Sequence, residues 1–506
     1  MKNRIRIITT TDLHGYIFPY RYSDGFDADM GIAKCATLIQ SLRDDNTIVI
    51  ENGDVLEGSP LSYFHFHQNP KDIHPIAKAL KKIGYDYVNL GNHDFNYGED
   101  AINQYLDYIE APCITSNLYY KGKPFGPTYV IREIAGKKIA LFALVTHYVP
   151  HWEQPENIKN YEFFDAFETA KKTVTLLKDL EHPDYIIGIY HGGFERDFKT
   201  GIATEELTGE NQGYQMLKEI PGLDVLITGH QHRSYVGEAF GTVYTQCLDS
   251  GREISLIDIY TDTNTIEPHV LPVDTPADEE ILALVQKEED ACQKWLDTSL
   301  GDTLVDLYIE DEFQARLNKS QVITFLNLVQ KEISGADICS NALFLGATGF
   351  NSSITKRDLV STYVFPNTLV VKKITGKILK EYLEKDAEFW SVRNDSVIVN
   401  PMYDFPHPQH YNYDMLDGIE YTIKASNDVG SRITKLTRNG VPIQDEDEFT
   451  ICINNYRAAG GGGFEMLKNA PTVKEIQKNV VEIIADYIQN HPEISFEEVH
   501  NIEVIK

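Results

Sequence analysis

At 506 residues the chain is longer than one ordinary hydrophobic core can serve, so two or three domains are expected. With 42% hydrophobic residues, 29 Tyr and 23 Phe it has ample apolar surface to bury, so a folded chain and not a disordered one is expected. A formal charge of −30 without a basic stripe excludes a nucleic-acid binder, so an anionic small molecule must be held by local cations or donors against a repulsive overall field.

The six Cys, at positions 35, 113, 247, 292, 339 and 452, form no C-x-x-C pair and read as buried thiols rather than disulfides. Met1 to Arg4 lead into an apolar strand without the apolar run or small-residue cleavage site of a secretory leader. No stretch is long enough to span a membrane. A cytoplasmic protein with no membrane partner is the expectation.

In chain order, short β-branched runs recur at Ile5–Ile8, Thr47–Ile50, Tyr87–Leu90, Ile139–Val145, Ile186–Tyr190 and Val225–Thr228. Continuous apolar runs of this length are those of strands buried on both faces. Helical patterns lie between them, such as Ile76, Ala77, Leu80 and Ile83, stopped by Gly84. Alternating strand and helix predicts an α/β domain over 1–272. At Thr275-Pro276-Ala277-Asp278 a helix start is predicted with Thr275 as N-cap, giving a linker helix over 273–300. A second domain of mixed helix and strand follows over 301–506. Its closing amphipathic helix is predicted to begin at Thr472, with Glu475 completing the cap, and to carry Val473, Ile476, Val480, Ile484, Tyr487 and Ile488.

Chemistry-bearing residues follow five of the strands: Asp12-Leu13-His14, Asn52-Gly53-Asp54, Gly91-Asn92-His93-Asp94, His191-Gly192-Gly193 and Gly229-His230-Gln231-His232. The carboxyl edge of an α/β sheet is where sites form. In Asp12-x-His14 and His230-x-His232 the spacing of two predicts an extended backbone that points both members of each pair the same way. Imidazole and carboxylate donors suit Zn²⁺, Mn²⁺ or Fe, and their number exceeds what one ion needs, so two divalent ions sharing a bridging carboxylate are expected. His65, His67, His74, His151, His407 and His410 read as surface or core histidines, and His147 stays open.

The set DLHG, NGD, GNHD, HGG and GHQH resembles the calcineurin-like metallophosphoesterases. That resemblance implies an αββα sandwich for the first domain. It also implies that Asp12, His14, Asp54 and His232 hold one ion, that Asp54, Asn92, His191 and His230 hold the other, and that His93 contacts the phosphoryl group. Two-metal chemistry would activate a water for in-line attack on phosphorus and neutralise charge on the phosphoryl oxygens.

In the second domain, Val364-Phe365-Pro366-Asn367-Thr368 and Asn454-Asn455-Tyr456-Arg457-Ala458-Ala459, followed by Gly460–Gly463 and Phe464, place an aromatic on each of two irregular segments. A flat base would stack between Phe365 and Tyr456, with the Asn367 amide bonding a base edge or ribose. These segments resemble the base-clamping loops of the 5′-nucleotidase C-terminal domain, which implies a small nucleotide as substrate. Where 5′-nucleotidases carry GNHEFD, whose last Asp pairs with the catalytic His, this chain has Asn96. Where they carry a GGxR-type segment it has Ala347–Asn351, and where they carry GGDGY it has Gly462. GNHDFNYG, FPNTLVV and NNYRAAGG are instead similar to the 2′,3′-cyclic-nucleotide 2′-phosphodiesterase/3′-nucleotidase branch. The rival expectations are a 5′-nucleotidase or UDP-sugar pyrophosphatase on the same machinery, and a metal-containing nucleotide sensor without turnover.

Overall fold

A computed structural model describes residues 4–205, 207–363, 367–404, 408–476 and 478–506. The chain separates into two compact units, Met1–Gln293 and Lys294–Lys506. The first contains two sheets. One has five strands in the order Thr265–Pro272, Glu253–Tyr260, Arg4–Thr10, Thr47–Asn52, Tyr87–Asn89. The other has six, in the order Tyr235–Ala239, Thr242–Gln246, Val225–Thr228, Tyr185–His191, Lys137–Val145, Val130–Ile134. The three motif-bearing strands of the first sheet run parallel, as do Lys137–Val145, Tyr185–His191 and Val225–Thr228 in the second, so within each sheet their carboxyl ends share a direction.

The continuous apolar runs have a simple cause. Ile5, Ile7, Ile48 and Ile50 form one buried cluster with Ile139, Leu141, Ile187, Ile189 and Val225, the layer between the sheets. On the outer face of the second sheet Ala140, Phe142 and Leu144 pack with Phe167, Ala170, Val174, Met216 and Leu217 of the helices that cover it. A strand buried on both faces has no position left for a polar residue. Truncating one such buried aliphatic to Ala costs about 2–5 kcal/mol. Two Asn side chains stitch the sheets at the functional edge. Asn89 Nδ2 donates to Asn52 Oδ1 at 3.0 Å and to the Leu144 carbonyl at 2.8 Å, and Asn52 Nδ2 donates to the Tyr190 carbonyl at 3.2 Å.

The helix Pro75–Ile83 is started by His74, whose Nδ1 accepts from the Ile76 N–H at 3.1 Å, and stopped by Gly84 at φ 75°. The next helix start differs from expectation. It spans Glu279–Leu296, and Asp278 accepts from the N–H groups of Glu280 and Ile281. Thr275, the expected cap, instead donates its hydroxyl to the Lys34 carbonyl at 2.8 Å, so the long-range bond takes the residue out of the helix.

The second unit is built on a five-stranded sheet ordered Asp414–Asp417, Ile338–Ala342, Glu448–Asn454, Leu369–Thr375, Thr472–Ile476. The last strand corrects the second helix start. Thr472–Ile476 pairs antiparallel with the edge of Leu369–Thr375, and the amphipathic helix spans only Val480–Asn490, capped by Asn479. Val473, expected on the buried stripe, is 58% exposed. An open sheet edge with unpaired N–H and C=O groups recruits a Thr-Val-Lys-Glu-Ile segment that suits either period.

Candidate metal centre

The five motifs meet at one edge. Two groups of metal-capable side chains form there: Asp12, His14 and His232, and Asp54, His191 and His230. Within each group the ligand atoms all lie within 4.8 Å of one another. The loops are tied together by backbone bonds, the Asp12 N–H to the Gly53 carbonyl at 2.9 Å and the His14 N–H to the Asp54 carbonyl at 2.8 Å. Glycines permit the close approach. A Cβ at Gly91 would overlap Asp54 Oδ1 and stand 2.6 Å from His191 Cε1, and one at Gly229 would overlap Thr11 Oγ1.

The backbone that presents these residues is not extended. Asp12, His14, Asp54, His230 and His232 have φ of 53°, 48°, 58°, 70° and 52°. The expectation that residues two apart point the same way is therefore overturned for its stated reason. Asp12 and His14 do share a group, but left-handed turns send His230 and His232 into different ones. Each left-handed non-glycine residue costs about 1–2 kcal/mol, a concentration of strain typical of functional loops.

The residues fit divalent cations. Asp12 and Asp54 are fully buried carboxylates, and a buried charge without compensation costs several kcal/mol. His14 Nδ1 donates to the Glu57 carbonyl at 2.7 Å and His191 Nδ1 to the Asn52 carbonyl at 2.6 Å, so in the neutral rings both Nε2 atoms carry lone pairs. Those lone pairs face other electron-rich atoms. His14 Nε2 lies 2.9 Å from His232 Nε2, and His191 Nε2 lies 3.2 Å from Asp54 Oδ2 and 3.9 Å from Asp12 Oδ1. His191 Nε2 and Asn92 Oδ1 are buried without a hydrogen-bond partner. Burial opposes a proton on His191, yet Asp54 and Asp12 outweigh it and raise its pKa to about 10; at the more open His232, Asp249 and Asp12 outweigh desolvation and raise it to about 9. A pocket that draws protons this strongly draws cations for the same reason.

His93 stands beside the ligands, its ring centroid 5.5 Å from that of His14, and its backbone N–H donates to Asp54 Oδ1 at 2.7 Å. Its Nδ1 lies 2.9 Å from Asn96 Oδ1. Asp94 is a scaffold residue whose carboxylate accepts from the N–H groups of Asp54, Val55, Leu56 and Gly91. Three acidic residues at the site escaped the sequence reading. Glu210 Oε1 lies 2.9 Å from His230 Nε2, Asp249 Oδ1 lies 3.9 Å from His232 Nδ1, and Glu153 accepts from Asn96. His147 belongs to neither ligand group and sits with Asp165. None of the described histidines read as surface or core joins a group either, and His407 lies outside the described residues.

In the second unit Phe365 lies outside the described residues. Asn367 is placed by its carbonyl, which accepts from Val480, and its amide reaches the Tyr363 hydroxyl at 3.4 Å. Tyr456 is half-buried in the short helix Asn455–Ala458, capped by Asn454. Arg457, next to it, is buried and committed. Its Nε and Nη2 donate to Asp414 at 2.7 and 3.0 Å, and its guanidinium lies 3.9 Å from the Phe464 ring centroid. Gly462 has φ 75°, and a Cβ there would overlap Asn412 Oδ1 and stand 2.5 Å from Arg457 Nη1. Gly462→Asp is therefore expected to destabilise the protein by about 2 kcal/mol or more, seen as a lowered Tm; an unchanged Tm would refute this packing argument.

Fold and site together define a phosphoesterase. Residues 5–234 match the calcineurin-like phosphoesterase family and residues 300–469 match the 5′-nucleotidase C-terminal domain. The chain belongs to the calcineurin-like phosphoesterases that carry this C-terminal domain, a family of hydrolases. It is similar to a solved structure of a candidate 5′-nucleotidase from Staphylococcus aureus, with 33% identity, a TM-score of 0.91, and 99% of this chain and 100% of the other covered. It is 26% identical to the 2′,3′-cyclic-nucleotide 2′-phosphodiesterase/3′-nucleotidase of Salmonella typhimurium, covering 90% of this chain and 81% of the relative. It is 22% identical to the 5′-nucleotidase of Vibrio vulnificus, covering 97% and 91%. Calcineurin-like phosphoesterases use a dinuclear divalent metal centre, for which the two ligand groups are the candidates. No described helix is long and apolar enough to cross a membrane.

Proposed function

We propose that the protein hydrolyses nucleoside phosphate esters at a dinuclear centre, with 2′,3′-cyclic nucleotides preferred and 3′-monophosphates next. The observation that carries this reading is the convergence of two His/Asp groups, each with two buried members and one more open one, beside a histidine that belongs to neither. In it Asp12, His14, Asp54 and His232 hold one ion, and Asp54, Asn92, His191 and His230 the other. The mixed N/O donor set suits Mn²⁺, Zn²⁺ or Fe. Bound ions of this kind supply Lewis acidity and an acidified water at neutral pH. The chain's own residues do the rest. Backbone carbonyls of Glu57 and Asn52 orient the His14 and His191 rings, and the His93 N–H holds one oxygen of Asp54. His93, with Nδ1 engaged by Asn96, presents Nε2 to the phosphoryl oxygens or the leaving alkoxide.

The cyclic preference is supported by what the substrate unit lacks. Asn351 donates to Asp358 at 2.6 Å at a helix cap, Arg457 is spent on Asp414, and Gly462 has no room for a carboxylate. None of these offers a free charge for a 5′-monophosphate, whereas a cyclic diester carries one less negative charge. The name of the Salmonella relative supports the same reading. The 33% identical Staphylococcus structure supports the alternative, a 5′-nucleotidase. A substrate panel on metal-reconstituted protein decides between them. 2′,3′-Cyclic AMP is expected to exceed AMP and UDP-sugars in kcat/KM, and AMP leading tenfold (~1.4 kcal/mol) would reverse the choice.

Tyr456 provides a separate check on the base clamp. Tyr456→Ala is expected to weaken nucleotides by roughly 1–3 kcal/mol, about five- to a hundredfold, while sparing bis-p-nitrophenyl phosphate. Equal losses on both substrates would make Tyr456 a packing residue.

A further inference from the structure

We infer that Glu153 is a positioning residue for His93, acting through the side-chain amide of Asn96; the inference rests on the reading of His93 as the group that meets the substrate. His93 Nδ1 lies 2.9 Å from Asn96 Oδ1, and Asn96 Nδ2 donates to Glu153 Oε2 at 2.6 Å. An Asn amide can be turned end for end, and in the other orientation it would offer His93 a donor instead of an acceptor. A carboxylate only accepts. Glu153 therefore holds Nδ2 on its own side and leaves Oδ1 for the ring. With an acceptor at Nδ1, one ring hydrogen is kept on Nδ1, and Nε2 is left as the atom that takes up a proton and gives it to the substrate side.

Glu153 is itself fixed. Its Oε1 accepts from the Gln154 N–H at 2.7 Å and from Asn157 Nδ2 at 2.8 Å, and its N–H donates to the Val149 carbonyl at 3.0 Å. Asn157 Nδ2 also reaches the Asn96 carbonyl at 2.9 Å, so backbone and side chain of Asn96 are both anchored by one short segment. Among the described residues no Lys or Arg pairs with Glu153. A half-buried carboxylate serving three amide donors and no cation is not explained as a surface ion pair. The same segment carries Trp152, whose ring centroid lies 5.6 Å from that of the ligand His230, so it borders both sides of the site.

The arrangement makes a prediction that ordinary structural residues do not. In E153Q the new amide can donate or accept, so the polarity of Asn96 is no longer set. kcat should fall about tenfold to a hundredfold with KM and metal content unchanged. N96D puts a carboxylate against Glu153 and should lose activity too. In the double variant N96D/E153Q, the carboxylate introduced at position 96 accepts from His93 Nδ1 unaided, and the amide introduced at position 153 donates to that carboxylate. There kcat should return to within about threefold of wild type. Selective ¹⁵N-histidine labelling of the full chain gives a readout independent of turnover. Wild type should show His93 with its hydrogen on Nδ1, and E153Q a mixture. Wild-type kcat and unchanged ring signals in E153Q would overturn the inference, as would a double variant no better than its worse parent. H93N serves as the reference. Wild-type turnover by H93N would remove the reading of His93 itself, while the nitrogen signals of E153Q would still report on Glu153, so the two failures are separable.

Discussion

Asp54→Ala is expected to lower bound metal from about two ions per chain to fewer than one, and kcat/KM by about a thousandfold or more. Asp54 is buried, one of its oxygens faces His191 at 3.2 Å and the other takes the His93 N–H at 2.7 Å. Removing it would take away a proposed ligand and also the charge that makes the pocket attractive to a second ion. Wild-type protein stripped by a chelator should be inactive and recover with Mn²⁺ or Zn²⁺. Elemental analysis beside a phosphodiesterase assay checks both statements. Full metal content in the variant, or full activity in stripped wild type, would sink the assignment.

His93→Asn should separate chemistry from metal binding. The bond from residue 93 to Asp54 is a backbone one and survives the substitution, and no ligand group contains the ring. Metal content should stay near wild type while kcat falls by about 10²–10⁴, the usual worth of a positioned acid or base. Loss of metal in this variant would make His93 a ligand and require a new division of roles.

The strands and the His/Asp motifs were legible because two independent physical signals coincide. A strand covered on both faces, such as Ile186–Tyr190, must be apolar throughout, and its carboxyl end is where polar residues reappear. What stayed hidden depends on partners remote in sequence. Glu153 and Glu210 are single acids in loops, without periodicity or motif, and only the fold brings them to Asn96 and His230. Thr275 and Thr472 both satisfy a capping pattern locally, yet one is taken by the Lys34 carbonyl and the other by an open sheet edge. The Asp-x-His spacing was informative, but for a reason other than strand alternation, since φ at these positions is positive. Backbone sign is not written in spacing.

The left-handed turns under the candidate metal ligands also act as a filter on sequence change. Asp and His, like Asn, are enriched among non-glycine residues at positive φ, while β-branched residues such as Val, Ile and Thr are outliers there. Positions 12, 14, 54, 230 and 232 thereby disfavour β-branched residues before any question of coordination arises. Elsewhere in the chain Lys121, Ala135, Phe240 and Ser250 also take positive φ, so the turn by itself does not require a residue that binds metal. Backbone and ion thus make separate demands on these positions: a change to Gly would relax the turn while removing the side chain that could hold an ion.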